Sequence, residues 1–208
     1  YEHHTRLATD GMLLRSLELA IRDGSIDKAS LRIGSRKNKF LGADHSAFLK
    51  NYLTLDDSSI VETLMKAKGN AKKLISDLCS RHLLKTAIEI DPTLDVTDAL
   101  KRKEISDLEN KDLRKLEREV ARQIGCDREL IIARLQQMNI KLYDPYDILV
   151  KRSSGRIVTL EEVSPISASA KPIVKLYVFC PERFRDSVKS AVWSFFGLPS
   201  NQLSERVQ

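Results

Sequence analysis

The stretch Ile173-Val174-Lys175-Leu176-Tyr177-Val178-Phe179 decides how the C-terminal part of the chain is read. It is a short apolar run rich in β-branched and aromatic side chains, which suit a pleated, half-buried surface, so it reads as a strand. After it, Arg183 to Phe196 places Val188, Ala191, Val192 and Phe195 on one face at helical spacing. That segment reads as a helix packed on the sheet. Upstream, Leu130-Ile131-Ile132-Ala133, Ile148-Leu149-Val150 and Ile157-Val158 are further short apolar runs bounded by turn-forming residues. They read as strands, and Ser153-Ser154-Gly155 between the last two suggests a hairpin.

Before Gly125 the texture is helical. From Thr5 to Arg22 the apolar positions Leu7, Ala8, Met12, Leu14, Leu17, Ala20 and Ile21 recur every three or four residues, and Asp23-Gly24 supplies a stop. The basic stretch with Arg32, Arg36, Lys37 and Lys39 around Gly34 reads as a loop, and Phe48, Leu49 and Tyr52 as a short helix. Thr54-Leu55-Asp56-Asp57-Ser58 is a helix start, because small side-chain oxygens cap free amides and acids suit the positive end. The helix it opens uses Ile60, Val61, Leu64 and Met65 and is expected to end near Gly69-Asn70. Another is expected through Leu74, Ile75, Leu78 and Leu83 until Asp91-Pro92 breaks it. Residues 97–125 carry dense charge of both signs around Leu113, Leu116, Val120 and Ile124, which predicts a solvated helix with a thin apolar seam. The fold class expected is mainly α with a small α+β C-terminal lobe: a helical region over 1–125 and a small α/β lobe over 126–208.

Composition bounds the function. The 208 residues carry 35 Lys+Arg against 29 Asp+Glu, a net charge of +6, with 42% hydrophobic residues, enough to build a core. No apolar run reaches the roughly 20 residues that span a bilayer. Cys79, Cys126 and Cys180 are scattered, with no C-x-x-C spacing, so neither a disulfide framework nor a zinc site is indicated, and a reducing, cytoplasmic setting fits. The positive balance suits nucleotide phosphates or nucleic acid. Twelve aromatics, none interleaved with the basic stretches, leave nucleic acid unsignalled.

The residues present no complete catalytic constellation. His3, His4, His45 and His82 are dispersed; Asp44-His45 reverses the His-Asp order, and no metal site is defined. Glycine-rich phosphate loops and nucleophile elbows are absent from the sequence. Asp56 and Asp57 suit helix capping better than acid–base work. In Arg81-His82-Leu83-Leu84-Lys85, a helix would put Arg81 and Lys85 on one face, in reach of a shared phosphate.

The order of these segments resembles HD-domain phosphohydrolases, including deoxynucleoside triphosphate triphosphohydrolases and their archaeal and bacterial relatives. Tyr1-Glu2-His3-His4 with the helix behind it resembles that family's Tyr-x-His-Lys stretch. Phe48 to Asp57 resembles its short helix and the leucine-then-Asp start of the next. Arg81 to Lys85 resembles its Arg-x-Leu-x-Lys element, and Ile131 to Met138 with Asp144-Pro145-Tyr146-Asp147 resembles the strand and turn of its C-terminal lobe. The resemblance implies the C-terminal half of such an enzyme, cut after a His, His-Asp and Asp metal set that would lie upstream of Tyr1. It implies that a divalent metal activates water in the complete protein, with none bound by this segment and no catalytic residue within it. Tyr1 takes the place of a tyrosine that packs on the nucleotide sugar, and His3, His4, Arg81 and Lys85 take those of effector-phosphate contacts between subunits. His4 replaces the family's lysine. Nucleotide substrate or effector and further copies of the chain are the implied partners, with no membrane. The alternative is a stand-alone nucleotide- or RNA-binding or oligomerisation module without catalysis.

Overall fold

Alternation along Ile173–Cys180 sets the architecture: Leu176, Val178 and Cys180 enter one apolar core, and Tyr177 and Phe179 enter another, all buried. A strand buried on both faces needs a cover on each side. The computed structural model, which describes residues 4–26, 56–138, 148–163 and 173–198, shows helices in both places. In chain order, helices α1 (His4–Arg22), α2 (Asp57–Met65) and α3 (Gly69–Cys79) lead into strand β1 (Lys85–Ile90). Helices α4 (Pro92–Asp95), α5 (Ala99–Ser106) and α6 (Asn110–Ile124) precede strand β2 (Ile132–Met138). Strands β3 (Leu149–Lys151) and β4 (Ile157–Thr159), helix α7 (Leu160–Val163), strand β5 (Ile173–Cys180) and helix α8 (Arg185–Phe196) complete the described chain.

The main sheet has the order β1-β5-β2, antiparallel throughout, and β3-β4 forms a separate antiparallel hairpin. One face of the sheet packs Leu116 and Val120 of α6 with Val188, Val192 and Trp193 of α8. The other packs Met12 and Leu19 of α1 with Leu64, Leu74 and Ile75 of α2 and α3. Gly11 lets α1 lie close against β2: a Cβ there would meet Ile132 Cγ2 at 3.0 Å. The hydroxyl of Ser16 donates to the carbonyl of Ala71 at 2.7 Å and joins α1 to α3.

A buried ion pair holds the two helical layers together through the sheet. Arg15 on α1 donates from Nη2 to both carboxylate oxygens of Glu117 on α6, at 2.7 Å each, and both side chains are 5% exposed. Glu117 also accepts from the backbone amide of Ala133 in β2 at 3.0 Å and from Arg114 at 3.1 Å. Glu129 lies 3.5 Å from Arg15 and accepts from Arg22 at 2.7 Å.

The expected class is the one adopted: mostly helical, with a small antiparallel sheet and a closing helix. Asp56 caps α2 as expected, its carboxylate accepting from the amide of Ser59 at 2.6 Å while Ser59 reciprocates. The Arg152–Arg156 turn closes the expected hairpin. Three expectations need correction. The helix expected to run to Asp91-Pro92 stops at Cys79, and Lys85–Ile90 is a strand. Its stop is a turn in which the amide of His82 donates to the carbonyl of Asp77 at 2.8 Å and that of Arg81 to Leu78 at 3.1 Å. Such a turn needs a left-handed residue, usually glycine, and here it is Arg81 at φ 60°. Gly69 opens α3 instead of closing α2, which ends at Met65. The charged stretch forms two helices, α5 and α6, because Asp98 and Glu109 each cap a new start. Strand β1 comes from before residue 125 and β2 and β5 from after it, so the sheet and both cores draw on both sides of that point. The loop around Gly34, the short helix near Phe48 and the turn at Asp144-Pro145 lie outside the described residues. Among the described residues no helix is long and apolar enough to cross a membrane.

This packing can be tested in two ways. Glu117→Ala strands a buried guanidinium and is expected to cost about 3–5 kcal/mol by denaturant unfolding; a loss below about 1 kcal/mol contradicts the pair's structural role. The thiols should react in a fixed order with a disulfide reagent under mildly alkaline conditions. Cys79 is exposed, burial raises the Cys126 thiol, and burial, with Cys126 nearby, pushes Cys180 up to about 12. Cys79 should label first, Cys126 more slowly and Cys180 only on unfolding; rapid labelling of Cys180 in the folded protein contradicts this.

Candidate functional site

The start of β1 brings distant segments together. Leu83 and Leu84 lead in from the turn, with Leu84 buried and its amide 3.5 Å from Met12 Sδ on α1. This contact holds the entry to β1 against the first helix. A cavity of about 260 Å³ opens there, lined by residues from α1, β1 and α8, among them His4, Lys85, Thr86 and Arg185. A second cavity, of about 480 Å³, runs along the outer edge of β1 from Thr86 to Glu89 and is walled by Leu94, Arg185 and Lys189. His4, Thr86 and Arg185 line both.

The smaller cavity is basic, lined by Lys85 and Arg185 and by no carboxylate. Arg185 Nε donates to the carbonyl of Thr86 at 3.0 Å, and neither Arg185, Lys189 nor Lys85 is paired with a carboxylate among the described residues. The acids nearby are engaged. Glu89 accepts from Lys175 at 2.6 Å, which holds that amine's pKa above its ordinary value. Asp91 caps α4 through the amides of Thr93 and Leu94, and Asp95 accepts from the amide of Asp91. The hydroxyl of Thr86 is buried with no partner. The smaller cavity thus carries two cations and no carboxylate, which favours an anionic ligand, whereas in the larger one Glu89, Asp91 and Asp95 match Lys175, Arg185 and Lys189.

Of the residues singled out from sequence, the structure brings His4 and Lys85 to one cavity. Arg81 does not share a helical face with Lys85, because it occupies the left-handed turn and Lys85 the strand; it lines neither cavity. Tyr1 and His3 lie outside the described residues. Thr86, Arg185 and Lys189 were not singled out. Thr86 fell in a segment expected to be helical, and Arg185 belongs to no motif; the one available signal was the Arg185/Lys189 spacing of four on a helix.

Residues 35–207 match the family described as the HD associated region. The chain belongs to that family. The fold is similar to that of a phosphohydrolase from Bacteroides thetaiotaomicron VPI-5482, with a TM-score of 0.52 and 18% identity over 86% of this chain and 45% of the other. A hypothetical protein from Aquifex aeolicus is similar with a TM-score of 0.44 and 17% identity, over 69% of this chain and 32% of the other. No curated protein matches the chain. The chain thus spans less than half the length of the Bacteroides phosphohydrolase. Among the described residues no group of three His, Cys, Asp or Glu could hold a metal ion, so these residues do not fit the divalent metal that the sequence resemblance implies.

Proposed function

We propose that this chain is the effector-binding part of an HD-domain phosphohydrolase that acts on deoxynucleoside or nucleoside phosphates. The supporting observation is that His4 and Lys85, far apart in sequence, line one cavity at the start of β1. Metal-bound water chemistry belongs to the rest of the complete protein. The HD-associated region contributes the wall of the cleft, where Tyr1 faces the nucleotide sugar, and contacts between copies in a homo-oligomer. It also contributes a regulatory phosphate site built from His3, His4, Arg81 and Lys85, in a protein of the cytoplasm.

The conformation of Arg81 supports its place in that set. An L-residue in the left-handed region carries a steric penalty that glycine avoids, and such outliers gather at binding sites. Arg81 is exposed and forms no ion pair among the described residues; its left-handed backbone closes α3, a task glycine would perform without the penalty, and its guanidinium is left available. Arg81 lies in the turn that feeds β1, outside the cavity lining, and in this reading meets only a ligand that extends out of the cavity. Lys85 adds a point charge at the cavity itself.

The test compares Lys85→Ala, Arg81→Gly and wild type in the intact protein, by triphosphate binding and by effector-dependent hydrolysis. Removing either charge-assisted hydrogen bond should weaken deoxynucleoside triphosphate binding by about 1.5–3 kcal/mol. Arg81→Gly should keep or raise the melting temperature while affinity falls, since it relieves the left-handed strain. Unchanged triphosphate affinity and activation in both variants would exclude an effector site here.

A further inference from the structure

We infer that the outer edge of β2 is a docking site for an extended, acidic peptide segment of a partner protein, which joins the main sheet as a fourth strand. This edge lies on the opposite side of the sheet from β1 and its cavities, so the inference is independent of the phosphate reading.

Strand β2 pairs with β5 in unbroken register from Ile132 to Met138. Ala133 lies opposite Val178, yet its amide donates to Glu117 Oε1 at 3.0 Å, away from β5. In an antiparallel ladder the backbone groups point alternately toward the neighbouring strand and away from it. Leu135 and Gln137 therefore also turn their amides and carbonyls outward, where they bond nothing among the described residues. The other edge of the sheet, at β1, is interrupted by the slip in register between Thr86 and Ile88 and by Arg185 on the Thr86 carbonyl. Natural sheets guard an open edge with a bulge, a proline, a lysine or a covering element. Strand β2 contains no bulge, no proline and no lysine.

The side chains around the edge define what the added strand carries. A cavity of about 490 Å³ opens beside it between α1 and α6, lined among others by Leu14, Asn110, Arg114, Arg134 and Leu135. Arg15, Arg114 and Arg134 face it against two carboxylates, Glu18 and Glu117. Arg15 and Arg114 are both ion-paired with those two, which leaves Arg134 without a carboxylate among the described residues. Alternation puts Arg134 on the α1 side of the sheet with Ile132, and Leu135 on the α6 side with Ala133. An antiparallel strand added here sets an acid opposite Arg134 and, one residue before it, an apolar side chain opposite Leu135. Leu14, 44% exposed, gives that strand apolar cover on the α1 side. A second copy of the chain fits this edge less well. If β2 pairs two-fold with its own copy and keeps these backbone bonds, Arg134 meets Arg134, Gln136 or Met138 across the strands, and no carboxylate.

The test uses the full chain and two fluorescent peptides with blocked ends, one alternating valine with aspartate and one alternating valine with lysine. By fluorescence anisotropy the aspartate peptide should bind at least about tenfold more tightly than the lysine peptide, since only it answers Arg134. Amide hydrogen exchange should slow at Leu135 and Gln137 when it binds, and stay level at Arg134 and Gln136, whose amides already face β5. Gln137→Pro removes an outward donor and no bond to β5, so it should abolish binding while the melting temperature holds. Arg134→Gln should weaken the aspartate peptide about tenfold and leave the lysine peptide unaffected, which keeps the test open if the proline variant fails to fold. Absence of aspartate-peptide binding to wild type at about 1 mM, equal affinity for both peptides, or wild-type affinity in Gln137→Pro overturns the proposal. A dimer by light scattering that Gln137→Pro converts to monomer assigns the edge to a second copy and overturns it as well.

Discussion

The buried Arg15–Glu117 pair is the constraint on which the rest of the arrangement depends. A guanidinium in an apolar interior is costly unless its partner is placed correctly, and here one carboxylate answers Arg15, Arg114 and the amide of Ala133 together. That carboxylate fixes α1 against α6 and β2 at the same time. Gly11, one turn before Arg15, then brings the backbone of α1 close to Ile132. With this much of α1 fixed, its first residue, His4, falls beside the start of β1. The position of the candidate site is thus a consequence of a charge pair far from it.

The site itself is built at an imperfect sheet edge. Strand β1 begins right after a helix-ending turn that uses an arginine where glycine is the usual choice, and its register slips just after Lys85 and Thr86. Those irregularities keep the edge from extending and leave a gap that α8 fills only partly, through Arg185. Basic side chains gather around the gap while the acids close by are engaged in caps and with Lys175. The smaller cavity is positive because Lys85 and Arg185 line it without a carboxylate, while in the larger one acids and bases balance.

Much of the fold was legible because apolar periodicity reports burial. The stripe from Leu7 to Ile21, the cap at Asp56, the run at Ile173–Phe179 and the closing helix all appear where the spacing places them. Strand β1 was missed for a specific reason. Lys85-Thr86-Ala87-Ile88-Glu89-Ile90 follows a true helix without any glycine or proline to mark the change, because Arg81 takes the role that glycine has at Gly125 and Gly197. Missing that strand also hid Thr86. Family resemblance pointed to His4 and Lys85, whereas the helical face expected for Arg81 and Lys85 rested on the wrong local structure. Arg185 was invisible, since its importance comes from the Thr86 carbonyl at the sheet edge and not from its neighbours in sequence.

The central claim is that phosphates of a nucleotide ligand occupy the smaller cavity at the start of β1. A crystal structure of the intact protein with a non-hydrolysable deoxynucleoside triphosphate tests it most directly. The account predicts phosphate density in the smaller cavity, between Lys85 and Arg185. Well-ordered nucleotide bound only elsewhere, with this cavity filled by water alone, would contradict it.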